Sequence, residues 1–381
     1  MKVLVTGIGL TSSLGNLFQS WEKLLDGKSA IRLVKPFAEL PPLPLGLINS
    51  QPVDLTNLIK QTVETAVKSS GLKLPLPECG VVIGSSRAYQ RMLENLAKKQ
   101  FVDDGQDHSQ KDYGSFINFW PHQPAILTAS QIGTKGTVLS PMAACATGIL
   151  AIARGFELIQ TGQCQQVIAG AVESPITPLT IAGFRKMGAL AQIGAYPFDR
   201  AREGFVLGEG AAILLLESAN FAKKRSAKVY GQIRSFGLTN DGIHSVIPDL
   251  SGKSAMLAIA RSLARSGLAP EEIDYVHAHG TATKLNDRHE ANLIQQIFPH
   301  KVAVSSTKGA TGHTLGASGA LGAAFCLMAV KHQVLPPCVG LNSPEFDLDL
   351  VRYARQSQVK NVLCLSFGFG GQNAALVLSK V

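Results

Sequence analysis

Short apolar runs alternate along this chain with longer stretches of three-to-four-residue periodicity. Val3-Leu4-Val5, ending at Gly7, and Gly80-Val81-Val82-Ile83-Gly84 read as strands buried on both faces. Residues 16–26 and 57–70 read as helices, and the proline-rich stretch 36–53 as a loop. An apolar helical pattern over 145–160 is followed by a strand at Val167-Ile168-Ala169-Gly170. The second half repeats the rhythm, with strands expected at 229–236, 302–305 and 362–366 and helices at 252–266, 287–297 and 316–331. Residues 87–124 are the least regular, polar at first and then marked by Phe116, Phe119, Trp120, Pro121 and Pro124.

The repeated rhythm suggests a duplicated α/β unit. Ala144-Cys145-Ala146-Thr147-Gly148 opens a small-residue helix in the first half, and Gly309-Ala310-Thr311-Gly312-His313 precedes one in the second. The seam is expected near 220–228, giving halves 1–224 and 225–381. A length of 381 residues suits two such units, and 45% apolar with 17% charged residues describes a well-buried globular protein. No run of about 18 apolar residues is evident, so no membrane span is expected. The opening MKVLVTGIGL reads as a first strand, which places the protein in the cytosol.

The net charge of +9 favours an acidic partner. Basic residues do not interleave with aromatics, which argues against nucleic acid. None of the six cysteines forms a CxxC pair, so no metal centre and no disulfide scaffold are expected. Gly7-Ile8-Gly9-Leu10 lacks the full GxGxxG pattern and a suitably placed acid, which removes a dinucleotide site.

Candidate chemistry sits in small-residue loops. Cys145 precedes an apolar helical pattern, where the helix dipole and free N–H groups would stabilise a thiolate. A buried structural cysteine is the bland alternative. Residues 277–283 (His-Ala-His-Gly-Thr-Ala-Thr) and 305–313 (Ser-Ser-Thr-Lys-Gly-Ala-Thr-Gly-His) each set a histidine among Gly, Ala and Thr after a strand pattern. Phe367-Gly368-Phe369-Gly370-Gly371 could aim a backbone N–H at an oxyanion.

Together these segments resemble the elongating β-ketoacyl-acyl-carrier-protein synthases of the thiolase superfamily. The matching stretches are VTGIG at 5–9, ACATG at 144–148, FDRAREGFVLGEGAAILLLE at 198–217, HGTAT at 279–283, SSTKGATGH at 305–313 and SFGFGG at 366–371. The resemblance implies an α/β fold of two αβαβα halves in five layers, usually a homodimer, with a heterodimer with a related subunit as the variant. It implies Cys145 as acylated nucleophile and His279 and His313 as the pair serving malonyl decarboxylation. Lys308 and Glu290 match a supporting ion pair. Phe369 matches a gate whose backbone N–H joins that of Cys145 in an oxyanion hole, and Thr281 and Thr283 match contacts to phosphopantetheine. No cofactor of the enzyme itself is implied, because the substrates ride on the phosphopantetheine of an acyl carrier protein. Arg202 and the run Lys223-Lys224-Arg225 are candidate contacts for that acidic partner, Arg202 being favoured.

The chain departs from the family pattern at several points. Gly322 stands where a glutamate is usual, His277 where asparagine is common and Gln372 where threonine is common. Val246-Ile247-Pro248 replaces a more hydroxylated stretch, and 87–124 matches poorly. Three rival readings remain open: a thiolase, a partner subunit that sets chain length, and an acyltransferase on the same fold. The thiolase would need a second cysteine where Phe369 stands, and the partner subunit typically lacks the nucleophile.

Overall fold

The computed structural model describes residues 1–102 and 119–381. Its first half holds strands β1 (Val3–Ser12), β2 (Gly80–Gly84), β3 (Val138–Leu139), β4 (Gln166–Glu173) and β5 (Gly210–Ser218). The second holds β6 (Gly231–Asn240), β7 (Tyr275–His277), β8 (Ala303–Ser305), β9 (Asp349–Leu350), β10 (Asn361–Gly368) and β11 (Gln372–Ser379). The sheet runs β3-β2-β4-β5-β1 and continues β6-β11-β10-β7-β8-β9. The two halves therefore mirror one another in strand order. In the first, three parallel strands (β3, β2, β4) are followed by β5, antiparallel to both its neighbours; in the second, four (β9, β8, β7, β10) are followed by β11, likewise antiparallel to both. They meet where β1 pairs antiparallel with β6, Val3 opposite Ile233 and Val5 opposite Gly231.

The period-2 geometry of a strand sends successive side chains to opposite faces, and here both faces are core. Along β5, Ala212, Leu214 and Leu216 join one apolar cluster, while Ala211, Ile213 and Leu215 join another. Along β11, Ala374, Leu376 and Leu378 share the first cluster, while Ala375 and Val377 enter a third. The shared cluster fills the space between the half-sheets, and the others lie outside them.

The helices of the first half are α1 (Leu17–Leu25), α2 (Leu55–Ser70), α3 (Gln90–Val102), α4 (Gln123–Ile132), α5 (Thr147–Gln160), α6 (Pro178–Lys186) and α7 (Ala219–Lys224). Those of the second are α8 (Lys253–Ser266), α9 (Lys284–Ile297), the single turn α10 (Lys308–Thr311) and α11 (Ser318–His332). α2 covers one outer face against β1 and β5, and α8 the other against β6 and β11. α5 and α11 pack together between the half-sheets, which gives five layers, α-β-α-β-α. α11 is buried from Ser318 to Val330 and apolar all round, as a central-layer helix must be.

Several expectations change. Strand β1 does not stop near Gly7 but runs to Ser12. Residues 87–124 are more ordered than expected at both ends, where α3 and α4 form; Phe116 lies outside the described residues. The stretch Leu315–His332 is long and apolar enough for a membrane span by length and composition, yet 83% of it is buried inside the fold. The expected seam at 224/225 falls in the link between α7 and β6.

Candidate active site

The central helices bring the candidate groups together. A Cβ on Gly148 would lie 2.5 Å from the Ala320 backbone nitrogen, and one on Gly319 3.0 Å from that of Ile149. Glycine at both positions lets the starts of α5 and α11 cross in backbone contact. Cys145 stands two residues before α5, and His313 five before α11.

Cys145 sits on a tight turn. Ala144 before it takes a left-handed φ of +46°, an unusual conformation for a residue with a Cβ. Thr147 ties the turn, accepting from the Ala143 N–H (2.9 Å) and donating to the Ala144 carbonyl (2.7 Å). The Ser366 hydroxyl donates to the Cys145 carbonyl at 2.9 Å. Cys145 is 8% exposed, inside an apolar cluster with Leu45, Phe184, Phe205, Leu207 and Phe369. The Phe369 backbone N–H faces its sulfur. A helix start was expected to lower this thiol. Burial wins instead and pushes it up to about 11, against the downward pull of Lys308, Arg87 and the Phe369 N–H.

His279 follows β7. Its ring lies 5.3 Å from that of His313, nearly perpendicular at 82°. The Lys308 ammonium lies 3.3 Å from His279 Nδ1 and also donates to the His279 carbonyl. A cation donating at Nδ1 leaves the ring proton on Nε2. His313 Nδ1 lies 2.8 Å from the Ser318 hydroxyl, which fixes that ring from the first residue of α11. Burial holds both imidazoles well below their usual value, and Lys308 adds to this. They are neutral N–H donors.

Glu290, on α9, does not form the expected ion pair. Its carboxylate accepts the backbone N–H groups of His279 (2.6 Å) and Gly280 (2.7 Å), and it makes no direct contact with Lys308. Two buried amides already occupy its oxygens. Lys308 and Glu290 thus both hold the His279 loop, and each charge still favours the other without a hydrogen bond between them. Thr281 and Thr283 hydroxyls are 3.0 Å apart, and Thr283 also caps α9.

A cavity of about 370 Å³ touches Cys145, His279, His313, Thr281, Thr283 and Phe369, with Val246, Ile247 and Pro248 on its wall. Phe369 stands at the tip of the β10–β11 hairpin, where Gly370 and Gly371 both take left-handed φ values (79° and 73°). The carrier contact expected at Arg202 is not available. Arg202 is 2% exposed and lies against Asp287 (3.7 Å) and Glu345. Arg225 is held by Glu217 at 2.8 Å. Lys223 and Lys224 of the same run are exposed at the end of α7. Nearer the cavity, Lys284 is an exposed cation on its wall, and Arg185 and Lys186 precede the lining residues Met187 and Gly188.

Sequence spacing also missed a cluster behind the site. His277, Cys326 and Cys364 bring their donor atoms within 4.8 Å of one another, a set suited by type to a soft metal ion. Gly322 makes room for it: a Cβ there would lie 2.9 Å from His277 Nδ1 and 3.0 Å from Cys364 Sγ.

Comparison with known families settles the assignment. Residues 52–222 match the beta-ketoacyl synthase N-terminal domain and residues 230–342 its C-terminal domain. The chain belongs to the β-ketoacyl synthase family. Among relatives of this synthase, the 3-oxoacyl-[acyl-carrier-protein] synthase 2 of Coxiella burnetii is 35% identical, covering 100% of this chain and 99% of the relative. That of a Synechocystis strain is 33% identical, covering 100% and 98%. One solved structure similar to this synthase is a type II polyketide acyl carrier protein in complex with its ketosynthase bound to the hexaketide. It has a TM-score of 0.94 and 25% identity, with coverage of 100% and 99%. Another, the ishigamide ketosynthase/chain length factor, has a TM-score of 0.91 and 26% identity, with the same coverage. The five-layer α/β architecture of this synthase is thus the duplicated thiolase-like fold of ketosynthases.

Proposed function

We propose that this synthase lengthens an acyl chain by two carbons, condensing a Cys145-bound acyl group with a malonyl group on an acyl carrier protein. The observation that carries this reading is one cavity lined by a thiol, two neutral imidazoles and the Phe369 hairpin. First, the Cys145 sulfur attacks the acyl thioester; a new carbon–sulfur bond forms and the pantetheine thiol departs with the proton. The malonyl group then loses CO2, and the bonding electron pair moves onto its thioester oxygen as an enolate. The Nε2–H groups of His279 and His313 donate to that oxygen. The enolate carbon attacks the Cys145 thioester, whose oxyanion is held by the backbone N–H groups of Cys145 and Phe369. That attack forms the carbon–carbon bond; collapse restores the carbonyl, breaks the carbon–sulfur bond and releases Cys145 as thiolate, which takes a proton from water to return as thiol. Thr281 and Thr283 line the path of the phosphopantetheine arm, and no cofactor beyond that arm is needed.

The acidic carrier meets Lys284, Arg185 and Lys186 at the cavity mouth. The assembly is a dimer, of two copies or of this chain with a related subunit, in the cytosol. Edge strand β3 supports it, with Val138 and Leu139 each 38% exposed. Presence of Cys145 weighs against a purely chain-measuring role. Changing His313→Ala tests the mechanism: CO2 release from malonyl carrier should fall of order 100-fold while Cys145 still acylates, as read by intact mass. Full condensing activity in that variant removes His313 from the mechanism.

A further inference from the structure

The loop after β2 carries Arg87 past the nucleophile. Glu173, at the end of β4 and fully buried, accepts the backbone N–H groups of Ser86 and Arg87, so the loop backbone is held. The Arg87 guanidinium lies over the Phe184 ring, 5.3 Å from its centroid. Phe184 lines the same cavity as Cys145, with its ring 5.1 Å from Phe205 and 6.1 Å from Phe369. Arg87 is close enough for its charge to favour the Cys145 thiolate.

Among the described residues this guanidinium makes no ion pair within 4 Å and no side-chain hydrogen bond. The acid beside it, Glu173, directs its oxygens to backbone amides. Arg87 is partly buried, and the cluster that joins its partner Phe184 to the cysteine is apolar, with Leu45, Ile176, Ile181 and Phe205 among its members. An alkyl chain entering this cluster strips water from the guanidinium and returns no acceptor. A chain bearing an oxygen returns one, and hydrogen bonds from a charged donor are among the strong ones.

We propose that Arg87 is a specificity residue, selecting acyl chains that carry a carbonyl or carboxylate oxygen beyond the thioester over plain alkyl chains. The proposal rests on the reading that Cys145 carries the acyl group. Its test compares a hexanoyl donor with its 5-oxo analogue on the same carrier protein, following Cys145 acylation by intact mass. The wild-type chain should load the oxo donor about tenfold faster or more. Arg87→Met should bring the ratio to about one or invert it. Arg87→Gln, which keeps a donor without the charge, should fall between, and it serves if the methionine variant does not fold. Loading of both donors at a ratio independent of residue 87, or a wild-type preference for hexanoyl, overturns the role of Arg87 alone. Failure of both donors to load Cys145 removes the acylation reading and this proposal with it.

Discussion

Replacing Lys308 by methionine keeps most of the side-chain volume and removes one charge from the centre of the site. The ammonium now donates to both Nδ1 and the carbonyl of His279, from a position only 4% exposed. Without it nothing holds the ring proton on Nε2, and the enolate donor is lost for part of the population. A hydrogen bond from a charged donor is worth about 1.5–3 kcal/mol, which sets the expected fall in malonyl decarboxylation at roughly 10- to 100-fold. Lys308 is also the strongest downward influence on the Cys145 thiol. Its loss moves that thiol further up, so alkylation at a fixed pH should slow as well. The fold should persist, because Glu290 keeps its two backbone donors. The assay follows CO2 release from malonyl carrier beside iodoacetamide labelling of Cys145, with melting temperature as control. A folded Lys308→Met protein that decarboxylates at the wild-type rate would refute the assignment of Lys308 as the group that orients His279.

Cys145 should be the first of the six cysteines labelled by iodoacetamide, because it alone opens on the cavity shared with His279 and His313. With its thiol at about 11, labelling should climb about tenfold per pH unit from neutral toward that value; a plateau near neutral pH contradicts the burial argument. Lys284→Glu and Arg185→Glu should lower kcat/KM for carrier-bound substrate and weaken its dependence on salt, while a small pantetheine thioester is unaffected. Equal effects on both substrates would move the docking surface elsewhere. Phe369→Ala keeps the backbone N–H and should therefore retain chemistry while altering relative acylation by short and long donors; unchanged selectivity would leave Phe369 a packing residue.

The residues explain which parts of this architecture are legible in sequence. Gly80–Gly84 is bounded as expected because burial on both faces gives a continuous apolar run between glycines. β1 was expected to end at Gly7 because glycine in sequence looks like a terminator. In space Gly7 and Gly9 are where α2 presses on the strand: a Cβ would lie 2.4 Å from the Ala66 carbonyl oxygen and 2.0 Å from that of Thr62. The reacting groups were readable because each sits in a small-residue loop after a strand or before a helix. Their electrostatics were not, since burial is a property of the whole fold. The same holds for Arg202, whose partners Asp287 and Glu345 are remote in sequence, and for the cavity-mouth cations, which come from separate helices.

Gly322 and His277 look in sequence like two independent losses from the family pattern. In space they are one exchange. A Cβ at 322 would lie 2.8 Å from His277 Cε1, so the imidazole occupies the room that a side chain on α11 would need. His277 then places Nε2 3.2 Å from the Thr307 hydroxyl, next to Lys308, and so braces the turn that holds the ammonium on His279. The polar contacts behind the two histidines are made with these atoms, and Lys308, His279 and His313 keep their mutual contacts. A change that preserves the site's own geometry is not a source of new substrate preference. The surfaces that line the cavity are elsewhere: the Val246-Ile247-Pro248 wall, and Phe184 and Phe369 near the sulfur, with Arg87 over the Phe184 ring. Substrate selection is therefore expected at the walls around Cys145, while the condensing chemistry belongs to the central layer that the two halves share.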